Sequence, residues 1–246
     1  MTPETPARAP AAPTEVNTPA HVAVILDGNR RWAARHAVPT AQAYQLGARR
    51  AVELTTCCHL RGIRYLTLWA LSQENLRRPP EQIGSLLEVI IAGLSDIAAS
   101  HRWRIHHLGE PDLLPESIRC AISEIVRETS HDAPGTLNVA IAYNGRDDIA
   151  SAVRSLILAG QTTHSAQRVA CDGLSTLLGD HFATAGQPDP DLVIRTSGEY
   201  RLSGFMPWQT AYSELYFTRV DWPDFTTEQL DCALDSYRSR QRRHGC

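Results

Sequence analysis

The 246-residue sequence lacks any pattern that would hold it together through disulfides or zinc. Its six cysteines are scattered without a Cys-x-x-Cys pair, a spacing that predicts neither a disulfide framework nor a zinc site. Reduced thiols are typical of the cytosol, so we expect a cytoplasmic protein. The adjacent residues Cys57, Cys58 and His59 would point to different sides of a helix, which argues against a metal site there.

Long apolar runs and a surplus of basic residues are also missing. No apolar stretch approaches the roughly 20 residues that span a bilayer, and the N-terminus has no signal-peptide pattern, so we expect no transmembrane segment. The formal net charge is −3 and no basic stripe stands out, so nothing predicts nucleic acid binding. Hydrophobic residues make up 43% of the chain, which suits one globular domain of this length.

Apolar segments and helical patterns alternate after a beginning rich in proline and alanine. We expect residues 1–20 to be a disordered tail and residues 21–246 to form one domain. The alternation predicts an α/β fold, a central and mostly parallel sheet flanked by helices. The predicted strands span residues 22–26, 65–71, 103–108, 137–143 and 191–194, and residues 208–217 are predicted as a strand or a helix. The predicted helices span residues 31–36, 41–62, 79–97, 115–129, 149–158 and 166–182, and the apolar stripe of the third runs from residue 83 to residue 97.

Residues 21–33 combine a buried strand with a turn and the start of a helix. Asp27 and Gly28 follow the apolar run directly, so Asp27 lies at the carboxyl end of the strand. Arg30 and Arg31 fall in the first helical turn, where the helix dipole disfavours cations unless an anion is bound. Free backbone N–H groups, two guanidinium groups and one carboxylate suit a diphosphate with a hard cation. The alternative is a strand-to-helix turn with surface arginines.

A second cluster follows the strand predicted at residues 191–194. Arg195, Arg201 and Ser203 lie close together there, and two guanidinium groups with a hydroxyl can hold a second phosphate group. Glu199 stands among them, and its alternative role is to neutralise the arginines. Glu214 is a lone carboxylate in an aromatic-rich segment, so it needs a partner, either a cation shared with Asp27 or an arginine.

Three segments taken together resemble a known family. Residues 21–33, 66–79 and 191–225 are similar, in this order, to signature segments of the cis-prenyltransferases, the family of undecaprenyl and short-chain Z-prenyl diphosphate synthases. The resemblance covers nearly all of residues 21–245 and is closest in pattern to the short-chain synthases of actinobacteria. It implies the family's α/β fold with a hydrophobic tunnel. The apolar helix at residues 83–97 would wall this tunnel as well as pack against the sheet.

The resemblance also implies roles for individual residues. Asp27 resembles the family's Mg²⁺-holding aspartate, and Glu214 the acid that acts with it, so both are the expected metal residues. The implied catalytic residues are Asp27, Asn29, Asn75 and Arg78. The implied substrate-binding residues are Gly28, Arg30, Arg31, Trp32, Ser72, Arg195, Glu199, Arg201, Ser203, Arg243 and Gly245. Residues 243–245 resemble a tail motif that completes the neighbouring subunit's active site, which implies a homodimer.

The implied activity is a transferase reaction of isoprenoid biosynthesis. It is Mg²⁺-dependent condensation of an allylic diphosphate with isopentenyl diphosphate to a Z-prenyl diphosphate of few isoprene units, and a long product would imply contact with a membrane surface. The DDxxD motif of trans-type synthases does not occur here. The proton acceptor stays open between Asn29 and the released diphosphate.

Departures from the family pattern keep other reactions open. Arg30 replaces a glycine of many long-chain members, and Thr40 and Tyr44 stand where those members have an arginine and a histidine. Leu76 replaces a tryptophan, and Pro207 interrupts a usual Leu-Leu-Trp-Gln run. The alternatives are irregular coupling of two allylic diphosphates and prenylation of a non-isoprenoid acceptor. A non-catalytic partner subunit is disfavoured because the Asp-Gly-Asn and Arg-Thr-Ser-Gly-Glu strings are intact.

Overall fold

Strands and helices alternate along the chain. The computed structural model describes residues 18–129, 131–160 and 173–240. The strands are β1 (His21–Ile25), β2 (Tyr65–Ser72), β3 (Trp103–Leu108), β4 (Gly135–Tyr143), β5 (Leu192–Arg195) and β6 (Glu214–Phe217). The α-helices are α1 (Asn29–Arg35), α2 (Thr40–Leu60), α3 (Pro80–Ala99), α4 (Glu116–Glu128), α5 (Gly145–Gly160), α6 (Leu174–Gly179) and α7 (Thr227–Ser239). Short 3₁₀ helices occupy Glu74–Arg77, Pro111–Leu113 and Trp222–Asp224.

The strands of the described residues form one sheet in the order β3-β4-β2-β1-β5-β6. Neighbouring strands are parallel throughout, which confirms the predicted α/β fold. β1 lies between β2 and β5, with Ile25 opposite Trp69 on one side and opposite Arg195 on the other. The strand order reverses beside β1, and the carboxyl ends of strands at such a point are where open α/β sheets bind ligands.

β1 illustrates why the predicted strands form. All five of its residues are buried. Val22 and Val24 belong to the core on one face of the sheet, whereas Ala23 and Ile25 belong to the core on the other face. This follows from the alternation of side chains along a strand. A strand that is apolar on both faces is typical of a parallel sheet covered by helices on both sides.

Several element boundaries differ from the predicted ones. Residues 208–212 form turns, and only residues 214–217 form the last strand, β6. α2 ends near Gly62, whose φ of 75° is in the left-handed region that favours glycine. The predicted helix at 166–182 lies outside the described residues up to position 172, and its described part contains α6. Residues 1–17 of the predicted tail also lie outside them, whereas the Ala20 N–H group donates to Asp191 Oδ2 at 2.8 Å and is tied to the domain.

α3 is the one helix of the described chain that is long and apolar enough to cross a membrane, by length and composition only. The prediction that no apolar segment is long enough to span a bilayer is therefore wrong for α3, by length and composition. In the structure, Leu86, Leu87, Leu94 and Ile97 of α3 are buried in the core. α3 thus packs as an element of the domain, as its apolar stripe predicts.

Candidate active site

A cleft of about 880 Å³ opens at the carboxyl ends of β1, β2 and β5. The turn after β1, the end of β2 with the following 3₁₀ helix, and the loop after β5 form its walls. The parallel sheet brings these three segments together because their strands are direct neighbours. The predicted site residues that line the cleft are Asp27, Gly28, Asn29, Arg30, Arg31, Ser72, Asn75, Arg78, Arg195, Glu199, Arg201 and Ser203.

Asp27 lies at the centre of a charged network. Its Oδ1 is 2.9 Å from Arg31 Nη2, and its Oδ2 is 2.9 Å from Arg195 Nη2. Its backbone N–H group donates to Thr196 Oγ1 at 2.9 Å, and the Thr196 hydroxyl lies 2.6 Å from the Asp27 carbonyl oxygen. The neighbouring Gly28 has a φ of 113°, which favours glycine. The carboxylate is therefore fixed in direction while about a quarter of its side chain, 28%, stays exposed to the cleft.

The loop after β5 adds a second group of charges. Arg195 is buried, and its Nη1 donates to Ser203 Oγ at 2.9 Å and to the Arg201 carbonyl oxygen. Glu199 bridges Arg201 at 2.5 Å and Arg31 at 2.8 Å. These two hydrogen bonds lower the pKa of the Glu199 carboxyl. Glu199 thus partly neutralises the arginines, as one of the two interpretations of its role predicts.

Two cations of the cleft have no carboxylate partner in the ranges that the structure describes. Arg30 is exposed, and Arg78 donates through Nη2 to Asn75 Oδ1 at 2.5 Å. Burial, followed by the nearby Arg30 guanidinium, lowers the pKa of Arg78. Ser72 Oγ accepts from the backbone N–H group of Asn75 at 3.2 Å and so fixes the start of this segment. The cleft therefore carries unpaired positive charge that an anion would neutralise.

An apolar channel joins the cleft on its inner side. It runs between α2, α3 and the sheet, encloses a cavity of about 70 Å³, and includes the buried residues Leu94 and Ile97 of α3 in its wall. The residues that line both the cleft and the channel, which we call the neck, are Leu26, Asn29, Tyr44, Ala70 and Leu86. Asn29 Oδ1 is buried there and has no hydrogen-bond partner among the described residues, whereas the Tyr44 hydroxyl is buried beside the Arg78 side chain.

Trp32 and Glu214 do not lie in the cleft. The indole Nε1 of Trp32 donates to Asp224 Oδ1 at 2.8 Å and its ring stacks on His36, so its side chain is directed away from the cleft. Glu214 begins β6, whereas Asp27 follows the opposite, carboxyl end of β1. Glu214 is level with Val22 in the sheet, three residues or about 10 Å before the end of β1 at Ile25, and Asp27 lies two residues beyond that end. Within one chain, Glu214 and Asp27 therefore do not share a cation.

Glu214 has an arginine partner instead, which is the other of its two predicted arrangements. Its Oε2 lies 2.6 Å from Arg240 Nη1. Arg243 and Gly245 lie outside the described residues. Among the described ones, no group of three or more His, Cys, Asp or Glu side chains is arranged to hold a metal ion. The carboxylates that line the cleft are those of Asp27, Glu74 and Glu199. Mg²⁺ is commonly held by one or two carboxylates together with substrate phosphates.

Two further cleft residues escaped the sequence reasoning. Trp69 lines the cleft and stacks on Phe205 with ring centroids 5.1 Å apart. Glu74 also lines it and accepts a hydrogen bond from Asn144 Nδ2 at 2.7 Å. Both lie inside the segment at residues 66–79 that carries the family resemblance. That resemblance was the available signal, but it did not show which side chains face the cleft.

Comparisons with known proteins agree with the cleft and the fold. Residues 25–245 match the family described as "Putative undecaprenyl diphosphate synthase". The chain is 46% identical to isoprenyl transferase 1 of Streptomyces avermitilis over 228 residues, covering 92% of this chain and 89% of that protein. It is 44% identical to the (2Z,6E)-farnesyl diphosphate synthase of Thermobifida fusca over 232 residues, covering 93% and 90%.

A solved structure is similar as well. Lavandulyl diphosphate synthase from Lavandula x intermedia, in complex with dimethylallyl diphosphate, matches with a TM-score of 0.83 and 33% identity, over 93% of this chain and 99% of that one. The fold and the cleft thus define a prenyltransferase, an enzyme of isoprenoid biosynthesis. The chain belongs to the undecaprenyl diphosphate synthase family, the cis-prenyltransferases, as its signature segments predict.

Proposed function

We propose that the protein is a Mg²⁺-dependent, short-chain cis-prenyltransferase that condenses an allylic diphosphate with isopentenyl diphosphate. The observation that carries this proposal is the neck, where a cationic cleft meets an apolar channel. A prenyl diphosphate has a highly charged head and an apolar tail. Such a ligand matches both spaces at once, whereas a purely polar or a purely apolar ligand would match only one.

The allylic diphosphate would bind at the turn after β1. Arg30 and Arg78 have no carboxylate partner in the described ranges, and they lie on the same side of the cleft as Gly28 and Asn29. Guanidinium groups bind phosphate oxygens through paired hydrogen bonds. Their charge would favour departure of the diphosphate, because charge stabilisation of the leaving group lowers the barrier to breaking the allylic C–O bond.

The isopentenyl diphosphate would bind at the loop after β5. Arg195 is held in place by Asp27 and Ser203, so its guanidinium is preorganised. Arg201 is exposed and adds a second cation above the cleft. This arrangement would hold the isopentenyl head group while its double bond attacks the allylic carbon.

Mg²⁺ would be held by Asp27 together with phosphate oxygens, and it would supply charge neutralisation at the leaving diphosphate. Asp27 is suited to this role because its carboxylate is fixed by two arginines and still open to the cleft. Asn29 lines both the cleft and the channel, so its side chain would lie beside the carbon atoms that react. Proton removal would then fall to Asn29 or to the released diphosphate.

A short product follows from the size of the channel. Its cavity of about 70 Å³ is small beside the roughly 300–1,000 Å³ of typical ligand pockets, so it would take a tail of few isoprene units. The names of the relatives support this, since they include (2Z,6E)-farnesyl diphosphate synthases and short-chain Z-isoprenyl diphosphate synthases. We therefore infer dimethylallyl or geranyl diphosphate as the allylic substrate.

A homodimer in the cytoplasm completes the proposal. β6 is an edge strand of the sheet, and Tyr212 beside it is 84% exposed, which supports an interface at this edge. Arg243 and Gly245 of one subunit would complete the site of the other. The cysteines of the described residues, Cys57, Cys58, Cys120 and Cys232, are free thiols, which is typical of a reducing compartment.

Irregular coupling of two allylic diphosphates is the second candidate. Its support is the similarity to a lavandulyl diphosphate synthase that binds dimethylallyl diphosphate. The departures at Tyr44 and Pro207 add to it, because Tyr44 lies in the neck and Pro207 packs against Gly145. In such a reaction, the subsite at the loop after β5 would bind the diphosphate of a second allylic substrate.

The test is a product assay on the purified protein with Mg²⁺. Dimethylallyl, geranyl or farnesyl diphosphate is supplied with and without isopentenyl diphosphate, and products are read by mass spectrometry. The proposal expects product only when isopentenyl diphosphate is present. Product from an allylic diphosphate alone would establish irregular coupling, and no product with any combination would contradict both candidates. Omission of Mg²⁺ with added chelator tests the metal dependence.

A further inference from the structure

Asp221 is a buried carboxylate that the proposed reaction does not use. It lies just before the 3₁₀ helix Trp222–Asp224 and is 2% exposed. Its Oδ1 accepts a hydrogen bond from Ser197 Oγ at 2.5 Å, and its Oδ2 is ion-paired with Arg35. Burying a carboxylate is costly unless partners of this kind offset the loss of hydration. The partners come from two separate elements, the loop after β5 and α1.

Gly28 packs directly on this carboxylate. A Cβ atom at residue 28 would lie 2.8 Å from Asp221 Cγ, closer than real contacts allow. The turn after β1 therefore rests on Asp221 with no side chain between them. A shift of the Asp221 side chain would move the backbone of Gly28, and with it the neighbouring Asp27 and Asn29.

The residues on either side of Asp221 hold the same two segments through their backbone. The Trp222 N–H group donates to the Asp27 carbonyl oxygen at 3.0 Å, and the Ser197 N–H group donates to the Val220 carbonyl oxygen at 2.8 Å. Ser197 has a φ of 71°, an uncommon value for a residue with a side chain. The hydrogen bond from its hydroxyl to Asp221 helps to hold it there.

We propose that Asp221 is a positioning residue for the allylic diphosphate subsite, and this inference rests on the proposed function. Asp221 packs against Gly28 and connects the turn after β1 to the loop that contains Ser197. It does not contact the substrate itself. The Arg35 ion pair offsets the repulsion that a bare carboxylate under Gly28 would exert on a diphosphate. Arg195, in the proposed isopentenyl diphosphate subsite, is also held by Ser203 and by the Arg201 carbonyl oxygen. Neither of these contacts involves the turn after β1, so this subsite depends less on Asp221.

The test compares Asp221→Asn, Asp221→Ala and Ser197→Ala with the unaltered protein. For each we would measure kcat, the KM of both substrates, and the dissociation constant of the non-reactive thiolo analogue of dimethylallyl diphosphate by calorimetry. We expect Asp221→Ala to raise the allylic KM and the analogue's dissociation constant about tenfold, with the isopentenyl KM changed by less than about twofold. Asp221→Asn should have a smaller effect, because its amide oxygen can still accept from Ser197.

The matched control is Asp224→Asn. Asp224 lies on the same 3₁₀ helix and accepts a hydrogen bond from Trp32 Nε1, but it contacts neither Gly28 nor Ser197 in the contacts described. The Asp224→Asn variant should have a lower melting temperature and unchanged KM values for both substrates. A fall in kcat with neither KM changed, in any Asp221 variant, would mean only a smaller folded fraction and would overturn the proposal.

Two further outcomes are decisive. If Asp221→Ala does not fold, Ser197→Ala and Arg35→Gln take its place, and unchanged allylic KM values in both would overturn the proposal. If the unaltered protein shows no turnover, the proposed function fails. The positioning role of Asp221 is then tested by the affinity for the thiolo analogue alone. Equal affinities of the unaltered protein and Asp221→Asn would then contradict the positioning role.

Discussion

Arg195 Nη2 lies 2.9 Å from Asp27 Oδ2, although 168 residues separate the two along the chain. The pair joins the turn after β1 to the loop after β5 at the point where these neighbouring strands end. Arg195 also donates to Ser203, so one guanidinium connects both sides of the cleft. The two proposed diphosphate subsites therefore share a wall, and a change in either residue should affect both substrates.

Asp27→Asn should abolish most of the turnover while leaving the fold intact. The variant loses the carboxylate that would hold Mg²⁺ and that fixes Arg31 and Arg195, so we expect kcat to fall about 100-fold or more. Asp231→Asn is the control, since it also breaks an ion pair, with Arg61, but lies away from the cleft. Product formation and thermal melting check this. Turnover of Asp27→Asn within about threefold of the unaltered protein would contradict the role of Asp27.

Arg195→Lys should be more damaging than Arg201→Lys. Arg195 is buried and uses separate nitrogens for Asp27 and Ser203, and one ammonium group cannot reproduce that geometry. The side chain of Arg201 is 60% exposed and contacts Glu199. We expect the isopentenyl KM to rise about tenfold or more for Arg195→Lys and about threefold for Arg201→Lys. Steady-state kinetics measure this, and equal effects of the two variants would count against a preorganised Arg195.

Gly47→Ala should lower kcat by displacing Asn29. A Cβ atom at residue 47 would lie 2.6 Å from Asn29 Oδ1 and 2.9 Å from Trp222 Cδ1, so these side chains must move. Gly84→Ala in α3 is the matched control, because nothing lies within 4 Å of its added Cβ atom. The control should raise the free energy of unfolding by about 0.5–1 kcal/mol and keep its activity. Comparable activity of the two variants would argue against a role for Asn29 at the neck.

Leu94→Ala should lengthen the product. Leu94 lines the channel, and the removal of its side chain adds space where the prenyl tail would end. The free energy of unfolding should fall by about 2–4 kcal/mol. Ile122→Ala, in the core on α4, should cost similar stability without changing the product. Mass spectrometry of the products decides, and an unchanged product distribution for Leu94→Ala would mean that the channel does not hold the tail.

His21 should make the protein less stable as the pH falls from about 6.5 to about 4. Burial lowers the pKa of His21 to about 4, against 6.5 for a free histidine. The unfolded chain therefore binds a proton in this range that the folded chain does not, and stability rises with pH there. The difference is on the order of 3 kcal/mol. Denaturant unfolding at several pH values measures it, and His21→Gln should flatten the profile. If the free energy of unfolding of His21→Gln depends on pH as steeply as that of the unaltered protein, groups other than His21 cause the effect.

The sequence predicts well those features that depend on a few neighbouring residues. The apolar run of β1 and the Asp27-Gly28 turn are local patterns, and they place Asp27 correctly at the carboxyl end of the strand. Glu214 is different, because its position depends on where β6 begins. Residues 208–212 form turns, so Glu214 starts β6 and lies at the end of the strands opposite the cleft.

Side-chain direction on short elements was not predictable either. Trp32 lies next to Arg31 in α1, yet adjacent helical residues point to different sides, and its partner Asp224 is distant in sequence. Asp221 likewise gains its partners Ser197 and Arg35 only through the fold. Such contacts arise from the packing of α1 and the loops on the sheet, which periodicity and turn signals do not contain.

The neck has a consequence for where charge develops during the proposed reaction. Its five residues border both a cleft with arginines and an apolar channel, so the bond between the allylic carbon and the diphosphate oxygen would cross a step in local dielectric. The carbon side of that bond would become positive in a space with little water, next to the anion that has just left. The allylic cation would then either return to the diphosphate or react with the isopentenyl double bond. Attack by water would be slower than both, because little water reaches this space.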